Sequence, residues 1–231
     1  MFSGLVREIG KVVGLRGNAL QIECAHKAQV GDSIAVNGAC LTAISVDSRG
    51  FTAELSDESK QCVALENFSA GSKVHIEPAL RADSRLDGHI VQGHIDAIAK
   101  ITHIAHKGAQ SEFILQLDSK PLRYILPKGS VCVDGISLTS GKKSASGFEL
   151  VIIPHTLKTT LFGEYKVGRR VNIETDMFVR NAFSAVEYFL QTRDLTQGAD
   201  SANFKDSSKD FSNDFSKNLS WAQIDSIQMR F

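Results

Sequence analysis

The chain has 231 residues, 42% of them apolar and 23% charged, and its 26 basic and 26 acidic side chains leave a formal net charge of zero. Those proportions are ordinary for globular domains that bury a core, and the even charge offers neither a basic field for a phosphate backbone nor an acidic arm, so nucleic acid is not an expected partner. No apolar run reaches the length of a signal-sequence core or a membrane span, which points to a cytoplasmic protein without a membrane partner.

In chain order, the first half reads as short β-strands at Leu5–Val13, Ala19–Cys24, Ser33–Val36, Leu41–Val46, Phe51–Leu55 and Lys73–Glu77, punctuated by Gly14, Gly17, Asn18, Gly31, Asp32, Gly50 and Gly71. Six short strands of this kind suit a small antiparallel barrel, which removes exposed edges by closing on itself. Only Asp57–Phe68 has helical spacing. Ala79–Gly88 is polar and reads as a linker. The second half then runs through His94–Ile104, Glu112–Leu117, Ser130–Val133, Leu138–Gly141, Phe148–Ile153 and Arg170–Glu174 in the same pattern. Asp176–Thr192 changes period: Val179, Ala182, Val186 and Phe189 recur at helical spacing, which predicts an amphipathic helix suited to pairing between subunits. From Asp194 the composition falls to Ser, Asp, Asn and Lys, with scattered Phe204, Phe211, Phe215 and Trp221, and predicts a flexible tail to which no role is assigned.

The two halves are copies. Val36–Thr42 (VNGACLT) returns 97 residues later as Val133–Thr139 (VDGISLT), and in the same register Gly71, Val74, Ile76 and Glu77 fall on Gly168, Val171, Ile173 and Glu174. The opening repeats with a shorter offset, Gly4, Ile9 and Lys11 matching Gly93, Ile98 and Lys100. A period this long marks a duplicated domain. Within each central motif, small polar residues alternate with Leu, so Cys40 and Thr42, and likewise Ser137 and Thr139, share one face while the Leu turns into a core. Gly38 and Gly135 beside them would admit a flat ligand close to the backbone. Cys40 stands where Ser137 stands, so two similar pockets would hold similar ligands in different roles.

Cys24, Cys40, Cys62 and Cys132 lack C-x-x-C spacing and read as free thiols. His89 with His94, and His103 with His106, are rejected as metal pairs, because no Cys or carboxylate completes either set and a five-residue gap on a strand would put the first pair on opposite faces. His75, His103 and His106 read as structural, whereas a His beside glycines suits proton transfer.

Met1-Phe-Ser-Gly-Leu-Val, Asn37-Gly-Ala-Cys-Leu-Thr, Asp87-Gly-His-Ile-Val-Gln-Gly-His-Ile, Tyr124-Ile-Leu-Pro-Lys-Gly, Asp134-Gly-Ile-Ser-Leu-Thr and Ile153-Pro-His-Thr-Leu, in this order, resemble the riboflavin synthase alpha-chain family. The resemblance spans about residues 1–193 and implies an all-β fold: a first lumazine-binding barrel over 1–88, a second over 89–176, both six-stranded Greek keys, an oligomerisation helix over 177–193 and a tail over 194–231. It implies a homotrimer with no metal or redox cofactor, and an active site between the first barrel of one chain and the second barrel of its neighbour. It also implies a reaction, the dismutation of two 6,7-dimethyl-8-ribityllumazine molecules to riboflavin and 5-amino-6-(D-ribitylamino)uracil. Nothing in the sequence bears on association with lumazine synthase.

Carried over by position, the resemblance gives the first pocket Gly4, Leu5, Val6, Cys40, Leu41, Thr42, Glu54, Leu55, Ser56, Asp57, Glu58 and Ser59, with Phe2 and Ser33 close by. It gives the second Gly93, His94, Ile95, Lys128, Ser137, Leu138, Thr139, Ile153, Pro154, His155, Thr156, Leu157 and Lys158, with Asp176 near its end. His94 is the candidate proton shuttle, Cys40 or Ser33 the group delivering a nucleophile, and Ser137 and Thr139 the holders of one pyrimidine edge. One segment departs from the family's Glu-Thr-Leu: in Glu58-Ser59-Lys60, Ser59 can replace the Thr hydroxyl, but Lys60 stands where an apolar contact is expected. The rival reading is a non-catalytic lumazine- or flavin-binding protein of the same fold, which would lose the polar groups of the second barrel that are present here. A flavin-binding barrel of a reductase would need a dinucleotide fold, and no Gly-x-Gly-x-x-Gly turn is present to supply one.

Overall fold

In the computed structural model, which describes residues 1–197, two closed six-stranded barrels follow one another along the chain. The first comprises β1 (Glu8–Arg16), β2 (Ala19–Glu23), β3 (Ser33–Val36), β4 (Ala39–Val46), β5 (Gly50–Glu54), a short α1 (Asp57–Cys62) and β6 (Lys73–Pro78). The second repeats it with β7 (Ala97–Lys107), β8 (Gln110–Gln116), a one-turn α2 (Ser119–Leu122), β9 (Ser130–Val133), β10 (Ile136–Lys143), β11 (Gly147–Ile152), α3 (Pro154–Thr159) and β12 (Arg170–Thr175). Around each barrel the order is first, second, fifth, fourth, third and last strand, every pairing antiparallel. The duplication reaches the irregularities: register slips at Val12/Gly14 and Ala43/Ser45 recur at Ile101/His103 and Ser140/Lys143. Bulges add the local twist that lets a small sheet close.

Each barrel is filled by its own side chains. Val12, Leu20, Ile22, Phe51, Leu55 and Ile76 pack the first and Ile101, Phe113, Leu115, Phe148, Phe162 and Ile173 the second, all almost fully buried. Alternation along β4 therefore turns Leu41 inward and leaves Cys40 and Thr42 on the outer face, so any pocket built on the central motif lies outside the barrel.

Two expected strands begin late. β1 starts at Glu8 rather than Leu5, and β7 at Ala97 rather than His94, so His89 and His94 lie in irregular backbone rather than on one strand. The residues ahead of each strand leave their own barrel. Phe2 pairs with Val91 across the seam, and Phe2, Ala35, Val91 and Cys132 form a third buried cluster between the barrels. Beyond this seam Val6 packs partly against the second core and Ile95 partly against the first. The two leading segments thus cross over.

A buried polar network ties the barrels together with the same approximate twofold logic. Leu161 N–H donates to His75 Nε2 (2.8 Å), and Ala64 N–H donates to Asn172 Oδ1 (2.8 Å), His75 and Asn172 being repeat counterparts. The first bond makes Nε2 an acceptor, so Nδ1 carries the hydrogen and donates to the Asp134 carbonyl (2.8 Å). Asn172 Nδ2 likewise donates to the Asn37 carbonyl (2.9 Å). Burial drives the His75 pKa down to about 4 from 6.5, and burial drives the Asp134 carboxyl up to about 6 from 3.8. The His75 contribution to stability is present above pH 6.5 and lost as pH falls towards 4; the Asp134 contribution has the opposite sign, full below pH 3.8 and lost as pH rises through about 6. His75→Asn removes only the first. In urea unfolding, the stability difference between variant and wild type should shift in favour of the variant by on the order of 2 kcal/mol between pH 7 and pH 4.5; a difference independent of pH would contradict this assignment.

The helix α4 (Met177–Gln197) starts one residue later than its periodicity predicts and runs five residues past Thr192, taking in 193–197. Asp176 Oδ1 accepts the Phe178 N–H (2.8 Å) at its start, and Phe183 packs edge-on against Tyr124 at 5.5 Å between centroids. Of the tail expected over 194–231, residues 194–197 belong to this helix and the rest lies outside the described residues. No helix among the described residues is long and apolar enough to cross a membrane.

Candidate active site

At the outer face of the first barrel, Ala39 and Cys40 of β4, Glu58, Ser59, Cys62 and Val63 of α1 and its end, and the crossing Gly93, His94 and Ile95 enclose a cavity of about 360 Å³. That volume suits a small heterocycle. The join is a backbone bond: Cys40 N–H donates to the Gly93 carbonyl (2.8 Å). Gly93 has φ +84°, and a Cβ there would fall 2.5 Å from Cys40 Cβ and 2.9 Å from Phe2 Cε2, so only glycine lets the segment approach.

The second barrel carries the counterpart. Ser137 N–H donates to the Gly4 carbonyl (2.7 Å), and Gly4, at φ +74°, would place a Cβ 2.6 Å from Ser137 Cβ. Here a further group joins: His89 Nδ1 lies 2.7 Å from Ser137 Oγ. Burial lowers the His89 pKa while the Asp176 charge raises it, and the net lowering favours a neutral imidazole at neutral pH, able to exchange a proton with the hydroxyl.

The grouping of residues expected from sequence is therefore corrected. Gly4, Leu5 and Val6 belong with Ser137, not with Cys40, and Gly93, His94 and Ile95 belong with Cys40, not with Ser137. The physical reason is the crossing of the two leading segments over the seam. Glu58 and Ser59 do line the first cavity, whereas Ser56 caps α1 by accepting the Ser59 N–H, and Asp57 pairs with Lys60. Lys60 does not put its charge into the cavity: its ammonium donates to Asn18 Oδ1 (2.5 Å) and Asp57 Oδ1 (2.9 Å) at the other side of α1.

Other expected residues stand further off. Leu41 and Leu55 are core, and Phe2 is buried in the seam as a backing for Gly93. Ser33 and Thr42 face each other across β3 and β4, but Ser33 lines a separate cavity with His26, Lys27 and Arg81. Glu54 is exposed beside Thr42. In the second barrel Thr139 and Lys128 are exposed, Lys128 in a turn at φ +65°, and Leu138 is half-buried. Ile153, Pro154, His155, Thr156, Leu157 and Lys158 form α3 and its cap, with Leu157 against the core. Among the thiols, Cys24 and Cys132 are buried while Cys40 and Cys62 are accessible to the first cavity.

Sequence reasoning missed His89. The signal was available in the sequence: His89 follows Gly88, the glycine neighbourhood that suits a proton-transfer histidine. The two sites are unequal in this histidine as well as in Cys40 against Ser137. One offers a thiol with His94 at its rim, the other a hydroxyl bonded to a half-buried imidazole.

The family described as Lumazine binding domain matches residues 3–79 and again residues 92–176. The chain is 37% identical over 184 residues to the riboflavin synthase of Bacillus subtilis (strain 168), covering 77% of this chain and 86% of that one. It is 38% identical over 195 residues to that of Mycobacterium tuberculosis (strain ATCC 25618 / H37Rv), covering 78% and 95%. In architecture it is similar to LumP complexed with riboflavin, with a TM-score of 0.68 at 20% identity over 76% of this chain and 99% of that one. LumP complexed with 6,7-dimethyl-8-(1'-D-ribityl) lumazine gives 0.66 at 18% identity over the same shares. Two matched lumazine-binding domains, and relatives that run nearly the length of both barrels, place the chain in the riboflavin synthase family.

Proposed function

We propose that the chain is a riboflavin synthase, a transferase that dismutates two molecules of 6,7-dimethyl-8-ribityllumazine into riboflavin and 5-amino-6-(D-ribitylamino)uracil. The observation that carries the reading is the pair of related but unequal sites. One substrate used twice, as four-carbon donor and as acceptor, calls for two pockets of common shape and different chemistry, and Cys40 with His94 against Ser137 with His89 supplies that difference. The first ring rests against the Cys40 thiol and the Gly93 backbone, with His94 moving protons at the rim. The second rests beside Ser137, whose hydroxyl exchanges a proton with His89, and Asp176 favours the imidazolium when it forms. Holding two reactive rings in register supplies much of the rate.

The domains run 1–88 and 89–176, followed by an oligomerisation helix at 177–193, in a cytoplasmic homotrimer whose active site joins the first barrel of one chain to the second of its neighbour. Support comes from the apolar side of α4, where Phe178 is 60% exposed, since such a surface is normally covered by a partner. Cys40→Ala and Ser137→Ala test the division of labour. Each should lower riboflavin formation from the lumazine at least about tenfold, and each should weaken a different one of two binding steps in a fluorescence titration. Identical losses at one and the same step would refute unequal sites.

A further inference from the structure

Two buried carboxylates hold the crossing segments. Glu77, 4% exposed on β6, accepts Ser3 N–H (2.8 Å), Ser3 Oγ–H (2.8 Å) and Gly4 N–H (3.1 Å). Its repeat counterpart Glu174, 1% exposed on β12, accepts Gln92 N–H (2.7 Å), Gly93 N–H (2.8 Å) and His94 N–H (3.1 Å). Each glutamate thus grips the leader of its own barrel. Yet Gly4 delivers its carbonyl to Ser137 in the second barrel, and Gly93 delivers its carbonyl to Cys40 in the first.

We propose that Glu77 and Glu174 are crossed positioning residues: Glu174, in the second barrel, sets the geometry of the first-barrel site, and Glu77, in the first barrel, sets that of the second. Among the described residues, the side-chain hydrogen bonds of both carboxylates go to these segments. Three backbone or hydroxyl donors converge on each, which satisfies a buried carboxylate and fixes a glycine-containing segment that would otherwise be mobile. The cross-connection also ties the two sites to one rigid seam, so that neither barrel completes its own pocket alone. Glu174 has an added anchor, because the segment it grips continues to Asp96, which pairs with Arg180 of α4, and Arg180 also donates to Gln92 Oε1 (2.9 Å). The inference deepens the proposed function and rests on it for the identity of the ligand.

The test is residue-resolved amide hydrogen exchange on the full chain, wild type against Glu174→Gln and Glu77→Gln. The Cys40 amide, bonded to Gly93, should exchange at least tenfold faster in Glu174→Gln, with the Ser137 amide within twofold of wild type. Glu77→Gln should give the reverse. Glu174→Asp and Glu77→Asp, which keep the charge but shorten its reach, should show the same crossed pattern at about threefold, so a Gln variant that does not fold leaves the question decided by its Asp partner. Loosening of the amide in the glutamate's own barrel, or equal loosening of both, would overturn the proposal. In parallel, each variant should lower riboflavin formation at least tenfold. A wild-type chain that forms no riboflavin would refute the function while the exchange pattern still decides the crossing.

Discussion

Gly93→Ala should reduce riboflavin formation by at least about a hundredfold. The added Cβ meets Cys40 Cβ at 2.5 Å and Phe2 Cε2 at 2.9 Å, both too close to keep, and φ +84° is a region that costs a non-glycine residue about 1–2 kcal/mol. The segment must retreat by roughly an ångström, and displacements of that size at a reacting centre cost about two orders of magnitude in rate. His94 retreats with it. The core of the first barrel is not involved, so the variant should remain folded, with circular dichroism close to wild type. Steady-state assays on the lumazine check the first expectation, and turnover within threefold of wild type would show that Gly93 does not shape the site.

Gly38→Ala should destabilise the fold itself, by about 2–5 kcal/mol. Gly38 and Gly135 touch backbone to backbone at the seam, and a Cβ on Gly38 would lie 2.8 Å from Gly135 N with φ +83°. Overpacking of about 1–3 kcal/mol adds to the left-handed cost of about 1–2 kcal/mol. The neighbouring atoms are backbone held by Asn37 and Asp134 hydrogen bonds to the last strands, so they cannot yield as a flexible side chain would. Urea unfolding should show a lowered midpoint, because the barrels are prised apart where Gly38 meets Gly135 and Ile95. A loss below 1 kcal/mol would mean that the seam adapts.

Much of this architecture is legible before any coordinates are seen. The return of VNGACLT as VDGISLT announces the duplication, and the strands of the first copy predict those of the second to within a few residues. What misleads is Leu5-Val6 and His94-Ile95, whose character suits the start of a strand. Hydrophobic alternation says that a side chain is covered, not which barrel covers it, and so nothing in the pattern corrects the carry-over by position that places each leader in the pocket of its own barrel. Lys60 misleads for a related reason. Sequence shows a charge at an apolar position, while only the fold brings Asn18 close enough to draw it aside. His89 could have been singled out, since it follows Gly88 as a histidine beside glycine, but its bond to Ser137 spans 48 residues and appears only when the chain is folded.

The most direct measurement supplies the purified chain with 6,7-dimethyl-8-ribityllumazine as sole substrate and follows riboflavin by absorbance and fluorescence against loss of the lumazine. One riboflavin formed for every two lumazines consumed, with 5-amino-6-(D-ribitylamino)uracil appearing alongside, is the result two unequal sites on one duplicated scaffold predict. Saturable binding of the lumazine with no riboflavin would contradict it and make the chain a lumazine-binding protein.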